Sequence, residues 1–299
     1  MTTKPLRIGF VPEHFSTPLH YATTHFSLSA TLIPFPSGTG HMITSLRSGE
    51  IDIGIGLTEG WIAGLGKDGG STEGDSKDGG YRIVGTYVET PLCWAISTGP
   101  KRDINGVEDL EKNNKIGVSR IGSGSYVMGF VLADQRGWLG KSEKPFEVVP
   151  LGTFDKLRKG VADGTADFFM WEHFTSKRYY DNGEIKRIGE IYTPWPSWQI
   201  VASTSTSPTD DRLSDLFTKL DQGIKHFNEN PEESVKYIST SLDYSEKDAR
   251  EWLKTVKFAN GTKGVDVSVV EKTLGILRKA GVVGESGMKE KEMSAITRT

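Results

Sequence analysis

The 299-residue chain carries 36 Lys and Arg against 39 Asp and Glu, a net charge of −3, with 36% hydrophobic residues. That length suits about two domains of ~150 residues, and the charge balance gives no support for nucleic acid or an anionic membrane surface as the partner. The single cysteine, Cys93, excludes an internal disulfide and any cysteine-based metal site, and no apolar run is long enough to insert in a membrane.

From the N-terminus, Leu6–Val11 alternates as a strand and breaks at Pro12, with Glu13 and His14 in the following loop. No apolar stretch of ~7–15 residues precedes it as a secretory signal would require, so a cytoplasmic location is expected. A helix around Pro18–Phe26 and a strand over Ala30–Phe35 follow. The turn Ser37-Gly38-Thr39-Gly40 feeds a helix over Met42–Ser48, and Ile51–Ile55 is a strand ending at Thr58, Glu59 and Trp61. Strands alternating with helices at this spacing indicate parallel βαβ units. Residues 66–80 are polar and glycine-rich; such composition cannot bury apolar surface and predicts a flexible surface loop.

Tyr81–Tyr87 and Leu92–Thr98 are the next strands, the second leading out of the first lobe. Cys93 lies in its apolar start, and a buried inert thiol is expected there. Ile104–Leu110 reads as a short helical start and Lys115–Val118 as a strand. Gly122-Ser123-Gly124-Ser125-Tyr126 then opens a helix reaching Arg136. A strand over Phe146–Pro150, a helix over Phe154–Ala162 and a strand over Ala166–Trp171 complete the second series.

Here an earlier pattern recurs. Leu46-x-x-Gly49-x-x-Asp52 aligns with Val161-x-x-Gly164-x-x-Asp167, each a short helix, a glycine stop, an acid and an apolar strand. Each copy ends with an acid near a tryptophan: Glu59 with Trp61, and Glu172 with Trp171. One α/β unit used twice implies two similar lobes with a cleft between them.

Ile185–Ile191 is a further strand, Tyr192–Trp198 is an aromatic segment stiffened by prolines, and Gln199–Ser203 returns the chain to the first lobe. Helical spacing then covers Asp210–Asn228, Pro231–Leu242, Ser245–Lys254 and Ser268–Ala280. The charged tail Lys289–Thr299 is expected to fray. The fold class is α/β and two-lobed, each lobe a sheet flanked by helices, with extra C-terminal helices. Residues 1–97 and 204–299 form lobe I and 98–203 form lobe II.

Two loops suit the polar end of a ligand: Ser37, Gly38, Thr39 and Gly40, and Gly122, Ser123, Gly124 and Ser125. Both are read as equivalent strand-to-helix turns, where free N–H groups and the positive end of the helix dipole face an anion or carbonyl oxygen. The same features serve an ordinary N-cap. Neither loop has a P-loop lysine. Glu59 and Glu172 follow strands at their carboxyl ends, where open α/β sheets bind ligands. Trp61, Trp171, Trp195 and Trp198 offer faces for a flat heterocycle, or serve as core. His14 and His173 are candidates for hydrogen bonding or acid/base work. No His-x-x-x-His spacing is present, so no metal is expected, and no cofactor is called for.

The motif runs Phe35–Met42, Ser48–Gly54 with Thr58–Gly60, Asn105–Leu110, Lys115–Val118, Gly122–Ser125, and Gly164–Asp167 with Trp171 and Glu172, in this order, resemble the type-2 periplasmic-binding-protein fold. Within it they resemble the alkanesulfonate, nitrate and thiamine-pyrimidine group (SsuA/THI5-like), most of all its signal-less fungal and bacterial members. The resemblance implies a two-lobed Venus-flytrap holding a small molecule at Glu13, His14, Ser37–Gly40, Thr58, Glu59, Gly122–Ser125, Trp171 and Glu172. Trp61, Tyr126, His173, Trp195 and Trp198 join them as neighbours able to line that site. The expected function is a soluble binder that closes over a small polar or heteroaromatic metabolite, with a thiamine-type pyrimidine as the favoured class. The alternative is an enzyme of thiamine-pyrimidine or related cofactor metabolism using Glu13, His14, Glu59, Glu172 or His173. The fungal pyrimidine synthases carry a cysteine-rich motif, absent here. A regulator is a third reading, but no DNA-binding helices precede Leu6.

Overall fold

The computed structural model describes residues 4–66, 79–139, 145–285 and 287–298. Most of the expected loop at 66–80 therefore lies outside the described residues. In chain order the elements are β1 (Leu6–Phe10), α1 (Thr17–Thr24), β2 (Ala30–Pro34), α2 (Thr39–Arg47), β3 (Ile53–Leu57), α3 (Thr58–Gly66), β4 (Tyr81–Val88) and β5 (Cys93–Thr98). There follow β6 (Lys115–Val118), α4 (Gly124–Gln135), β7 (Glu147–Pro150), α5 (Phe154–Asp163), β8 (Phe168–Glu172), α6 (His173–Asp181), β9 (Lys186–Tyr192) and β10 (Trp198–Ser203). The last helices are α7 (Asp211–Glu229), α8 (Pro231–Ser241), α9 (Glu246–Leu253) and α10 (Val267–Lys279).

These elements form two compact units. One comprises residues 1–90, 195–274 and 285–299; the other comprises 91–194 and 275–284. The first holds a five-stranded sheet in the order β2-β1-β3-β10-β4, the second a sheet in the order β7-β6-β8-β5-β9. In the first, β1 pairs in parallel with β2 and β3, while β10 runs antiparallel between β3 and β4. In the second, β6 pairs in parallel with β7 and β8, and β5 runs antiparallel between β8 and β9. The two sheets thus share one topology, and each antiparallel strand belongs to the segment by which the chain enters or re-enters that unit.

The repeated motif has the same job in both units. Gly49 and Gly164 take positive φ values of 75° and 85° and end α2 and α5, a conformation that favours glycine. Three residues on, Asp52 and Asp167 grip the neighbouring strand. The Asp52 backbone N–H donates to the Arg7 carbonyl at 2.9 Å while its carboxylate accepts from the Arg7 backbone N–H at 2.8 Å. Asp167 does the same with Lys115, at 2.8 and 3.0 Å. Each carboxylate also takes an arginine, Arg7 on Asp52 and Arg102 on Asp167. The acid fixes the register in which β3 joins β1 and β8 joins β6.

The first unit is the larger because the C-terminal helices pack on it. Gly223 of α7 lets α1 approach: a Cβ there would lie 2.3 Å from the Pro18 carbonyl oxygen. The tail departs from the expected fraying. Met293 is fully buried, and Ile83 and Ala295 exchange backbone bonds with the tail and β4, Ile83 N–H to Met293 O and Ala295 N–H to Ile83 O, each at 2.9 Å. Thr262 and Gly264 bond the same strand at Thr86 and Val84. Backbone pairing explains the difference: β4 would otherwise present an open sheet edge, which the tail and the 262–265 segment cover.

Candidate functional site

In the first unit, polar groups gather around the carboxyl end of β3. Thr58 and Glu59 do not sit in a loop; they start α3 directly after the strand. Thr58 Oγ1 donates to the Pro196 carbonyl at 2.5 Å and its N–H to the Ser197 carbonyl at 3.0 Å. Glu59 is wholly buried, and its Oε2 accepts from the Trp195 indole N–H at 3.0 Å. Its Oε1 has no hydrogen-bond partner. Burial pushes the Glu59 carboxyl up to about 7, against the opposing pull of its own backbone N–H and the Trp195 indole.

Thr39 begins α2, and its hydroxyl accepts from the Leu57 N–H at 2.9 Å. Gly56 and Gly60 keep room for it; a Cβ at either would lie 2.8 or 2.9 Å from the Thr39 side chain. Gly38 precedes it at φ 76°, Ser37 is exposed and Gly40 half-buried. Trp61 is fully buried against Gly54, Gly56 and Tyr81. Trp195 and Trp198 are buried as well, although their prolines suggest an exposed connection. Trp195 goes inside because its N–H has the Glu59 carboxylate to meet, and Trp198 because it packs 5.1 Å from Phe15.

Sequence reading missed Gln199, which occupies β10 opposite Gly56. It is buried, and neither amide atom has a hydrogen-bond partner. A lone amide within the apolar run Trp198–Val201 was the available signal, since buried polar groups are ordinarily paired.

His14 lies not in an open loop but in a buried helical turn at His14–Ser16. Its ring is boxed by Phe15, Tyr244 and Trp252 at centroid distances of 4.5, 4.5 and 4.2 Å. Burial drives its pKa well below the usual imidazole value, so the ring is neutral at physiological pH. Glu13 is half-buried, and its carbonyl accepts from Ser16.

In the second unit, Glu172 ends β8 and caps α6, accepting from the Thr175 N–H at 2.7 Å. It is buried, and burial raises it to about 7 despite the backbone donors of Thr175 and Phe174. His173 begins α6 half-buried beside Phe174. Trp171 is half-buried and stacked on Phe154 at 5.0 Å, part of the packing around Leu157, Val161 and Phe169. Ser123 caps α4 and accepts from the Tyr126 N–H at 3.4 Å; its hydroxyl meets that of Ser125 at 3.0 Å. Gly122 has φ 78°, Gly124 starts α4, and Tyr126 packs on Phe130. Arg120, missed in sequence, sits just before this turn, with its pKa lowered by burial.

Two expectations need correction. The Ser37–Gly40 and Gly122–Ser125 turns are not equivalent: the first follows β2 and the second follows β6, whose counterpart is β1. The partner of Ser37–Gly40 by topology is the turn at Gly152 and Thr153, where Thr153 caps α5. Cys93 is half-buried rather than buried, with its thiol 3.5 Å from a Glu190 oxygen and its pKa pushed up to about 12, chiefly by burial. The thiol is therefore protonated and unreactive.

The matched pair is instead Glu59 and Glu172. Glu59 lies two residues past the end of the middle strand of its sheet and Glu172 is the last residue of its own, and each sits at the start of the next helix. Each is a buried carboxylic acid that titrates near neutral pH, able to accept from or donate to a ligand.

Among the described residues, no helix is long and apolar enough to cross a membrane. The profile of the Ca3427-like PBP family matches residues 94–191. The solved structure of the Candida albicans CA3427 product, described as defining a family with the generic periplasmic-binding-protein fold, is 39% identical. It superposes with a TM-score of 0.88 over 99% of this chain and 97% of that one. The alkanesulfonate-binding protein SsuA of Xanthomonas axonopodis pv. citri, bound to MOPS, is 15% identical with a TM-score of 0.76 over 98% of each chain. The aliphatic sulphonate binding protein SsuA of Escherichia coli is 16% identical with a TM-score of 0.73, over 100% of this chain and 94% of that one. No curated protein matches the chain. With 39% identity across nearly its whole length, and with the two-lobed α/β fold in common, the chain belongs to the Ca3427-like family of periplasmic-binding-protein-fold proteins.

Proposed function

We propose that this protein is a cytoplasmic binder that takes a small polar or heteroaromatic metabolite between its lobes and closes over it. The observation that carries the reading is the pair of buried acids, Glu59 and Glu172, at topologically matched strand ends. A carboxyl group near its midpoint at neutral pH pairs well with an amino group or a protonated ring nitrogen. The Gly122–Ser125 turn with Arg120, and the start of α2 at Thr39, supply donors for an anionic or carbonyl end. A thiamine-type pyrimidine, flat and amino-bearing, combines these demands and is the ligand class we favour. Among proteins of the fold, the alkanesulfonate-binding SsuA of Xanthomonas axonopodis pv. citri holds a small molecule, MOPS.

A second reading rests on the same two acids. Carboxyls near pH 7 also suit general acid/base catalysis, which makes an enzyme of pyrimidine or cofactor metabolism the alternative. One experiment addresses both. Purified protein is screened by thermal shift against aminopyrimidines, sulfonates, nitrate and amino acids, and each hit is recovered for mass analysis. A binder at 100 times its dissociation constant adds about 2.7 kcal/mol. A hit recovered unchanged supports the binder, and a converted hit makes it an enzyme. Small-angle scattering with the hit at saturation then reads closure, and an unchanged profile counts against it.

A further inference from the structure

Away from both acids, three side chains from separate elements converge on one point of the first unit. His25 follows the last turn of α1, His226 lies in the last turn of α7, and Glu233 lies in the first turn of α8. His25 Nε2 is 3.1 Å from Glu233 Oε1, and His226 Nε2 is 2.9 Å from Glu233 Oε2. One ligand atom from each of the three lies within 4.8 Å of the others. We propose that His25, His226 and Glu233 form a binding site for one divalent transition-metal ion of the zinc type.

Three arguments support it. The donor set is two imidazoles and a carboxylate, which zinc accepts with a fourth position left for water or a small anion. The spacing is near what an ion imposes: ligands at ~2.0–2.1 Å in a tetrahedron stand about 3.3 Å apart, the two histidine–carboxylate separations are 3.1 and 2.9 Å, and the whole set lies within 4.8 Å, so rotation of exposed side chains closes it. The outer contacts also aim His25 correctly. Thr24 Oγ1 donates to the His20 carbonyl at 2.9 Å and lies 2.8 Å from His25 Nδ1. In the Nδ1–H tautomer that oxygen accepts from the ring, which leaves the Nε2 lone pair for an ion on the Glu233 side. A hydrogen bond on the far nitrogen is the usual support of a metal-bound histidine.

His226 carries a comparable outer partner. Asn230 Nδ2 lies 3.3 Å from His226 Nδ1 and donates to the His226 carbonyl at 2.9 Å. When an ion binds Nε2 the neutral His226 ring carries its one proton on Nδ1, and the Asn230 amide turns to accept it with its side-chain oxygen. Tyr21 walls the site, with its ring 5.1 Å from His25 and 4.8 Å from His226. His25 and Glu233 are open enough for an ion to enter from solvent.

The test is calorimetric titration of the full chain with zinc, with cobalt(II) absorption as a second readout. One ion per chain is expected, with the intense visible bands of a tetrahedral cobalt centre. Glu233→Gln, which keeps the shape of an exposed side chain, and His25→Ala each lower zinc affinity more than ten-fold. Thr24→Val, which keeps all three donors, lowers it about ten-fold through the lost outer contact. His41→Ala, on a different surface, leaves it unchanged. Absence of binding by the parent chain, or affinity unmoved by both Glu233→Gln and His25→Ala, overturns the proposal.

Discussion

Replacing Glu59 by Gln isolates the cost of a buried acid. The carboxyl is raised to about 7 from an ordinary 4.5 by burial. Between those values the folded chain keeps a proton that the unfolded chain has lost. Stability from this group is therefore full below about pH 4.5 and falls as pH rises, by about 1.4 kcal/mol per pH unit, until pH passes about 7. Over the whole window the loss is about 3 kcal/mol. His14, held neutral by burial, works in the opposite direction below its ordinary value, so the pH profile of the parent alone is not diagnostic. The difference between variant and parent is. Gln retains an acceptor for the Trp195 indole and has no charge to bury. Urea unfolding of both proteins at about pH 5 and about pH 8 should show the stability of Glu59→Gln relative to the parent rising by about 3 kcal/mol between the two. An equal difference at both pH values would refute the claim that Glu59 ionises at a cost inside the fold. Glu172→Gln should behave alike, since its carboxyl is also raised to about 7.

The other expectations follow from packing and pairing. His14→Phe should stabilise the protein as pH falls below about 6.5, because only the parent must then protonate or expose a buried imidazole; urea unfolding at acid pH reads this, and equal acid sensitivity of parent and variant would count against the aromatic box. Asp52→Ala and Asp167→Ala should each cost about 2–3 kcal/mol, since each strips a strand amide and an arginine of a charged acceptor; a loss below half a kilocalorie in denaturant melts would mean the repeated acid does not hold the sheet. Gly85→Ala should cost about 1–3 kcal/mol, because its Cβ would lie 2.3 Å from the Thr262 carbonyl; thermal melting at the parent value would show that this segment yields freely.

The strand and helix order was largely legible because its cause is local. β1 follows from the alternation over Leu6–Val11, α8 from Pro231 at its first turn, and α5 from the glycine at its end. The duplication was legible too, since Gly and Asp at fixed spacing encode a helix stop and a strand clamp. What sequence could not give was side-chain destination. Trp195 sits between Pro194 and Pro196, with Trp198 just beyond, as an exposed linker would, yet tertiary partners bury both. The loop pairing failed because Ser and Gly open helices after many strands, and only topology says which strands correspond. Metals were set aside for want of a His pair on one helix face. His25, His226 and Glu233 meet only because α1 packs against α7 through Gly223, a long-range contact that no local spacing announces.

The duplication also separates what each unit preserves from what it varies. Both keep the αL glycine and the acid that clamps the first parallel strand, so those residues serve the sheet and are poor candidates for recognising anything. Both also place a glutamate where the middle strand hands over to a helix, but the supports differ. Glu59 is held by the Trp195 indole beside its own backbone N–H, with one oxygen unpartnered, whereas Glu172 is held by the backbone N–H groups of Thr175 and Phe174 at the start of α6. Backbone donors at a helix start form part of the fold, while an indole is one side chain that substitution can remove. A unit that leaves a buried oxygen and a buried Gln199 amide without partners bears a cost that its counterpart avoids at this position. On the proposed function, ligand groups that satisfied those atoms would recover that cost, and the β3 and β10 corner of the first unit is where we expect discrimination between ligands to lie.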